Sequence, residues 1–124
     1  MSDINKKRRQ VRRKRKNSIR KNIHGTSDRP RVAVNRSHTA IYAQVVDDDS
    51  GRTILSSDSR QAASVEAPEE FAGKIAQAYQ VGRAIADKAK EKGIATMVFD
   101  RSGYLYHGRV AALARGLRDG GIEV

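Results

Sequence analysis

The chain has 124 residues, with 25 Lys/Arg against 14 Asp/Glu, a formal charge of +11 and no cysteine. That length suits one domain, and the lack of cysteine excludes a disulfide framework, a thiolate metal site and a cysteine nucleophile. The apolar runs are only a few residues long, so no membrane span is expected, and the charged N-terminus has no apolar core that would make it a secretory leader.

The charge is unevenly placed. Residues 1–36 hold 14 Lys/Arg and two acids, a balance of +12, while residues 37–124 balance at −1. The expected organisation is therefore a basic arm over residues 1–24 and one nearly neutral domain over 25–124. A local excess of that size binds polyanions by neutralising phosphates and releasing counterions.

The arm carries Lys6, Lys7, Arg8, Arg9, Arg12, Arg13, Lys14, Arg15, Lys16, Arg20 and Lys21. Its apolar residues Ile4, Val11, Ile19 and Ile23 form a thin stripe on a possible helix. Like charges at i,i+4, such as Arg8/Arg12 and Lys16/Arg20, oppose that helix. The arm is expected to be mobile when free and helical once phosphates neutralise it.

His24–Pro30 reads as a hinge. Three short strands follow, at Arg31–Arg36, Thr39–Val46 and Arg52–Ser57, and spacing this tight predicts an antiparallel meander. Ile41, Ala43 and Val45 fall on one face of the second strand, Tyr42, Gln44 and Val46 on the other. Asp47-Asp48-Asp49 reads as a solvated hairpin turn rather than a metal site. Pro68 suits the first turn of a long helix, with Glu69 and Glu70 at its positive end. Phe71, Ile75, Ala78, Gly82, Ile85 and Ala89 give that helix one apolar face, and Gly93 ends it. A buried strand at Ala95–Phe99 follows, then a helix from about His107 carrying Val110, Leu113, Ala114 and Leu117. That helix stops at Gly120-Gly121, leaving Ile122–Val124 as a possible edge strand. The predicted fold class is α/β: a mixed sheet, built from an antiparallel three-strand meander and a helix–strand–helix unit, with a basic N-terminal extension.

Asp100–Arg109 leaves the end of a predicted strand and enters a helix, the usual place for a ligand in an open α/β sheet. In an extended segment Tyr104 and Tyr106 project to one side, suited to stacking on a base. Arg101 and Arg109 suit phosphate, and His107 stands beside them. Arg29, Arg31 and Arg36, with Asn35, Ser37 and His38, form a second basic and polar group near the arm. Tyr42 and Gln44 share a strand face that can serve as a binding surface. The plainer alternatives are solvated strand residues for Arg31 and Arg36 and core packing for one tyrosine.

No sequence motif of a nucleotide-binding, hydrolase or zinc-protease site is present. His24, His38 and His107 lack ligand spacing, so no metal, cofactor or small-molecule substrate is expected. A two-metal nuclease using Asp47 and Asp100 has no positive support, and a general nucleic-acid chaperone or DNA-compacting protein is the main alternative to a dedicated RNA binder.

Three stretches carry a family resemblance: Gly25-Thr26…Arg29-Pro30-Arg31, then Arg36-Ser37…Ile41-Tyr42-Ala43-Gln44-Val45, and the long Val98-Phe99-Asp100-Arg101-x-Gly103-Tyr104-x-Tyr106-His107-Gly108-Arg109-Val110. With matching spacing between them, the chain resembles bacterial large-subunit ribosomal protein eighteen from the arm to the C-terminus. It departs from that pattern at Asn35 and at His38-Thr39-Ala40. The resemblance implies a non-enzymatic, cytoplasmic ribosomal protein that binds 5S rRNA and helps attach it to 23S rRNA in the central protuberance. It also implies neighbouring 5S-binding ribosomal proteins as partners. RNA-contacting candidates carried over are the arm residues, the Arg29–His38 segment, and Arg101, Tyr104, His107 and Arg109.

Overall fold

The computed structural model describes residues 3–37, 40–102, 104 and 107–124, without the side chains of residues 3 and 18–22. The elements are α1 (Asp3–Asn22), β1 (Arg31–Arg36), β2 (Ile41–Asp47), β3 (Arg52–Asp58), α2 (Gly73–Glu91), β4 (Val98–Asp100) and α3 (Arg109–Asp119). The strands form one mixed sheet in the order β3-β2-β1-β4. β1 and β2 pair antiparallel, β2 and β3 pair antiparallel, and β1 and β4 pair parallel. The meander and the mixed α/β sheet are thus as the sequence predicts.

Strand alternation sorts the side chains. Val32 and Val34, Ile41, Ala43 and Val45, and Leu55 are buried on one face. There they meet Ala78, Val81, Ile85 and Ala89 of α2, together with Val110, Leu113 and Leu117 of α3 and Met97. The other face presents Asn35, Tyr42, Gln44 and Ser56, and Tyr42 is 42% exposed. The large aliphatic side chains of the strands are therefore buried on the helix side, which leaves the opposite face free for polar groups.

α2 and α3 pack against each other where two glycines meet. A Cβ at Gly82 would collide with the Leu113 carbonyl oxygen, and one at Gly116 with the Tyr79 carbonyl oxygen. The helices therefore approach backbone to backbone at these two glycines.

Four details differ from expectation. α2 starts at Gly73, not near Pro68, because Ala72 is extended and Gly73 has φ +59, so the helical path cannot run back through them. Phe71 and the two glutamates consequently precede the helix, and Ile75 is 39% exposed, outside the apolar face assigned to it. α3 likewise begins at Arg109, after Gly108 at φ +56. The strand expected at 95–99 is shifted to 98–100, and the edge strand expected at 122–124 is a single parallel bridge between Thr96 and Glu123.

Candidate nucleic-acid interface

The C-terminal ends of β1 and β4 lie side by side, because Ala33 pairs with Asp100 in the parallel ladder. The loop leaving β4 therefore rises beside Asn35 and Arg36, and α1 lies across the same corner. Arg9, Arg12, Arg13 and Lys16 of α1, with Asn35, Ser102 and Tyr104, line a cleft of about 240 Å³. The Arg12 guanidinium stands 5.1 Å from the centre of the Tyr104 ring, and the Arg36 guanidinium 4.8 Å from it. Two cations thus share one aromatic ring. The Tyr104 hydroxyl donates to the Arg36 carbonyl oxygen at 3.3 Å, which orients the ring.

Arg109 closes the cluster from the start of α3, donating to the Ser37 carbonyl oxygen at 2.9 Å. Burial, and then the charge of Arg36, push the Arg109 guanidinium down from its ordinary value. Like charges gathered in one place disfavour one another, and their donors suit an anion such as phosphate.

Arg31 plays a different part from the one its sequence neighbourhood suggests. Its side chain is only 12% exposed. Nε and Nη2 donate to the two Asp48 carboxylate oxygens, both at 3.0 Å, and Nη1 donates to Asp100 at 2.7 Å. A guanidinium committed to two carboxylates is an internal brace and not an outward contact. The Arg31 guanidinium holds the Asp48 carboxyl well below its ordinary value, at about 2. Asp100 is fully buried and also accepts the Ser102 N–H at 2.8 Å, so it fixes the first turn of the loop.

The brace reaches the root of the arm as well. Asp48 accepts the Gly25 N–H at 2.8 Å, the Asp48 N–H donates back to the Gly25 carbonyl oxygen at 2.9 Å, and His24 Nε2 lies 2.6 Å from Asp49. The hydrogen bond to Asp49 raises the His24 imidazole above its usual value. The acidic turn read from sequence as merely solvated is thus where the arm is fastened.

The remaining candidates divide by position. Lys6, Lys7, Arg8, Lys14 and Arg15 are exposed along α1, as are Arg29 and His107. Arg101 donates to the Tyr104 carbonyl oxygen at 2.7 Å and stabilises the loop internally. Ser37 belongs to the β1–β2 connection, where its Oγ accepts the Ala40 N–H. Tyr42 and Gln44 stand on the open sheet face, in the strand beside the cleft. His38, Tyr106 and the side chains of Arg20 and Lys21 lie outside the described residues. Sequence reasoning missed Ser102, which is buried with φ +55 and lines the cleft. Its Oγ has no hydrogen-bond partner among the described residues, and nothing in its local sequence marks it.

The sequence profile of the family described as ribosomal L18 of archaea, bacteria, mitochondria and chloroplast matches residues 6–124. The chain belongs to the ribosomal L18 family. Among L18 relatives, it is 48% identical over 112 residues to the large ribosomal subunit protein uL18 of Desulfatibacillum aliphaticivorans, covering 89% of each chain. It is 46% identical over 116 residues to that of Symbiobacterium thermophilum, covering 94% of each. For that of Clostridium kluyveri the figure is 49% over 114 residues, or 91% of this chain and 92% of the relative. The L18 match runs through the arm, the brace and the loop after β4, so every part of the corner described above lies within the family's span.

Proposed function

We propose that this chain binds 5S rRNA and helps attach it to 23S rRNA in the central protuberance, beside other 5S-binding ribosomal proteins. As an L18-family member it is a structural, non-catalytic constituent of the large ribosomal subunit and works with the ribosome in the cytoplasm. The observation that carries the RNA reading is the convergence of Arg9, Arg12, Arg13, Arg36 and Arg109 around Tyr104, at the end of an open polar sheet face. Cations of the arm supply affinity through phosphates, and the folded face supplies shape and position.

The test is a gel-shift titration of the full chain against 5S rRNA with excess transfer RNA as competitor. Binding that survives the competitor supports the reading. Binding erased by the competitor leaves α1 acting as a bare polycation, the behaviour of a general nucleic-acid chaperone, and overturns it.

A further inference from the structure

Asn35 lines the cationic cleft, and directly opposite it in the β1–β2 ladder stands Tyr42. Opposite residues in such a ladder lie about 5 Å apart. Tyr42 opens a second hollow of different chemistry, a groove of about 290 Å³ that it lines with Gln44, Ser56, Asp58 and Arg60. Gln44 is paired with Ser56 and Tyr42 with Asp58 across the β2–β3 ladder, so these side chains form two adjacent rows on the open face.

The groove does not suit phosphate. One carboxylate, Asp58, and one cation, Arg60, share the lining of the groove, whereas the neighbouring cleft is lined by four cations. Asp58 Oδ1 accepts the N–H groups of Arg60 and Gln61, which fixes the turn that walls the groove. The rest of the lining includes an exposed aromatic ring, the primary amides of Gln44 and Gln61, and serine hydroxyls. A phenol ring offers a stacking surface, and an amide beside it offers both donor and acceptor to the edge of a planar heterocycle. The size falls at the lower limit of the range for drug-sized ligands, appropriate to one base rather than a larger molecule.

We propose that this groove seats a single unpaired nucleobase of the bound RNA, stacked on Tyr42 and read at its edge by Gln44, while the adjoining cleft holds the backbone phosphates of the same strand. The proposal rests on the RNA-binding reading above. It assigns discrimination to the open sheet face and bulk affinity to the arm. A base paired within a helix has neither a free face nor a free Watson–Crick edge, so the groove selects a loop or bulge.

The experiment measures binding of the full chain and its Tyr42→Ala, Tyr42→Phe and Gln44→Ala variants to 5S rRNA and to transfer RNA across a salt series, with dimethyl sulfate footprinting of the 5S complex. Tyr42 is exposed, so its replacement leaves the core intact. Tyr42→Ala is expected to weaken 5S binding about five- to hundred-fold. Its salt slope should stay at the wild-type value, and Tyr42→Phe should bind as wild type does. One unpaired base protected by the wild-type chain should regain reactivity with Tyr42→Ala and with Gln44→Ala. If wild type prefers 5S rRNA and Tyr42→Ala keeps both that affinity and the full footprint, the groove proposal alone is overturned. If Tyr42→Ala lowers the salt slope, the groove is a phosphate contact and the proposal is again overturned. If wild type shows no preference for 5S rRNA, the reading beneath the proposal has failed first.

Discussion

Replacing Asp48 by Asn keeps the shape of the brace and removes one of its two negative charges. Holding that carboxyl near 2 instead of its ordinary 3.8 corresponds to about 2 kcal/mol of folding stability at neutral pH, since each tenfold change in proton affinity is worth about 1.36 kcal/mol. The side chain is 22% exposed, so solvent screening trims this figure only modestly. The carboxyl is held down in the folded state, so its contribution is complete above pH 3.8, declines between there and about 2, and is gone below. Asp48→Asn is therefore expected to lose about 2 kcal/mol at pH 7, a fall in melting temperature of about 8 °C. The gap between variant and wild type should close as pH falls toward 2. Urea unfolding of both proteins at several pH values measures it. A gap that is absent at pH 7, or equally large at pH 7 and pH 2, refutes the assignment of the Arg31–Asp48 pair as a stabilising brace.

Three further outcomes are expected. Arg12→Gln combined with Arg36→Gln should reduce the slope of log affinity against log salt by about 0.7–0.9 for each phosphate no longer neutralised, measured by titration at several salt concentrations; an unchanged slope would place both guanidinia off the RNA backbone. Gly116→Ala must push α2 and α3 apart against the Tyr79 carbonyl and should cost about 1–3 kcal/mol, read from a thermal melt. His24 should titrate above its ordinary 6.5 by proton NMR and move back down in Asp49→Asn, because the hydrogen bond to Asp49 is the largest cause of its elevation. Equal midpoints in the two proteins would show that the pair does not form in solution.

The sheet was legible in the sequence because its signal is local. Ile41, Ala43 and Val45 alternate with Tyr42 and Gln44, and period-two alternation dictates which side faces the helices. The start of α2 was not legible, because Pro68, Glu69 and Glu70 satisfy every local preference for a helix N-terminus while Gly73 overrides them with a left-handed backbone. The basic loop and Tyr104 were visible as composition, but the partners of Tyr104 were not. Arg12 reaches it from another element, and the geometry depends on how α1 crosses the corner. Arg31 illustrates the same limit from the other side. In the sequence it is one basic residue among several, and what withdraws it from the surface is Asp48, 17 positions away, and Asp100, 69 positions away. Pairings between residues so far apart leave no trace in a local pattern.

The brace around Arg31 also governs aim. α1 has 20 residues and so extends about 30 Å from its attachment at Gly25. On a lever of that length, ten degrees of play at the root displaces the far end by roughly 5 Å, about one helical turn. In the proposed complex, which phosphates the distal arginines meet depends on the hydrogen bonds at the pivot and on the Arg12–Tyr104 contact as well as on charge. Loosening Asp48 would then scatter the arm over many alternative landing points, and a substitution that leaves every arm cation in place would weaken binding as though several had been removed.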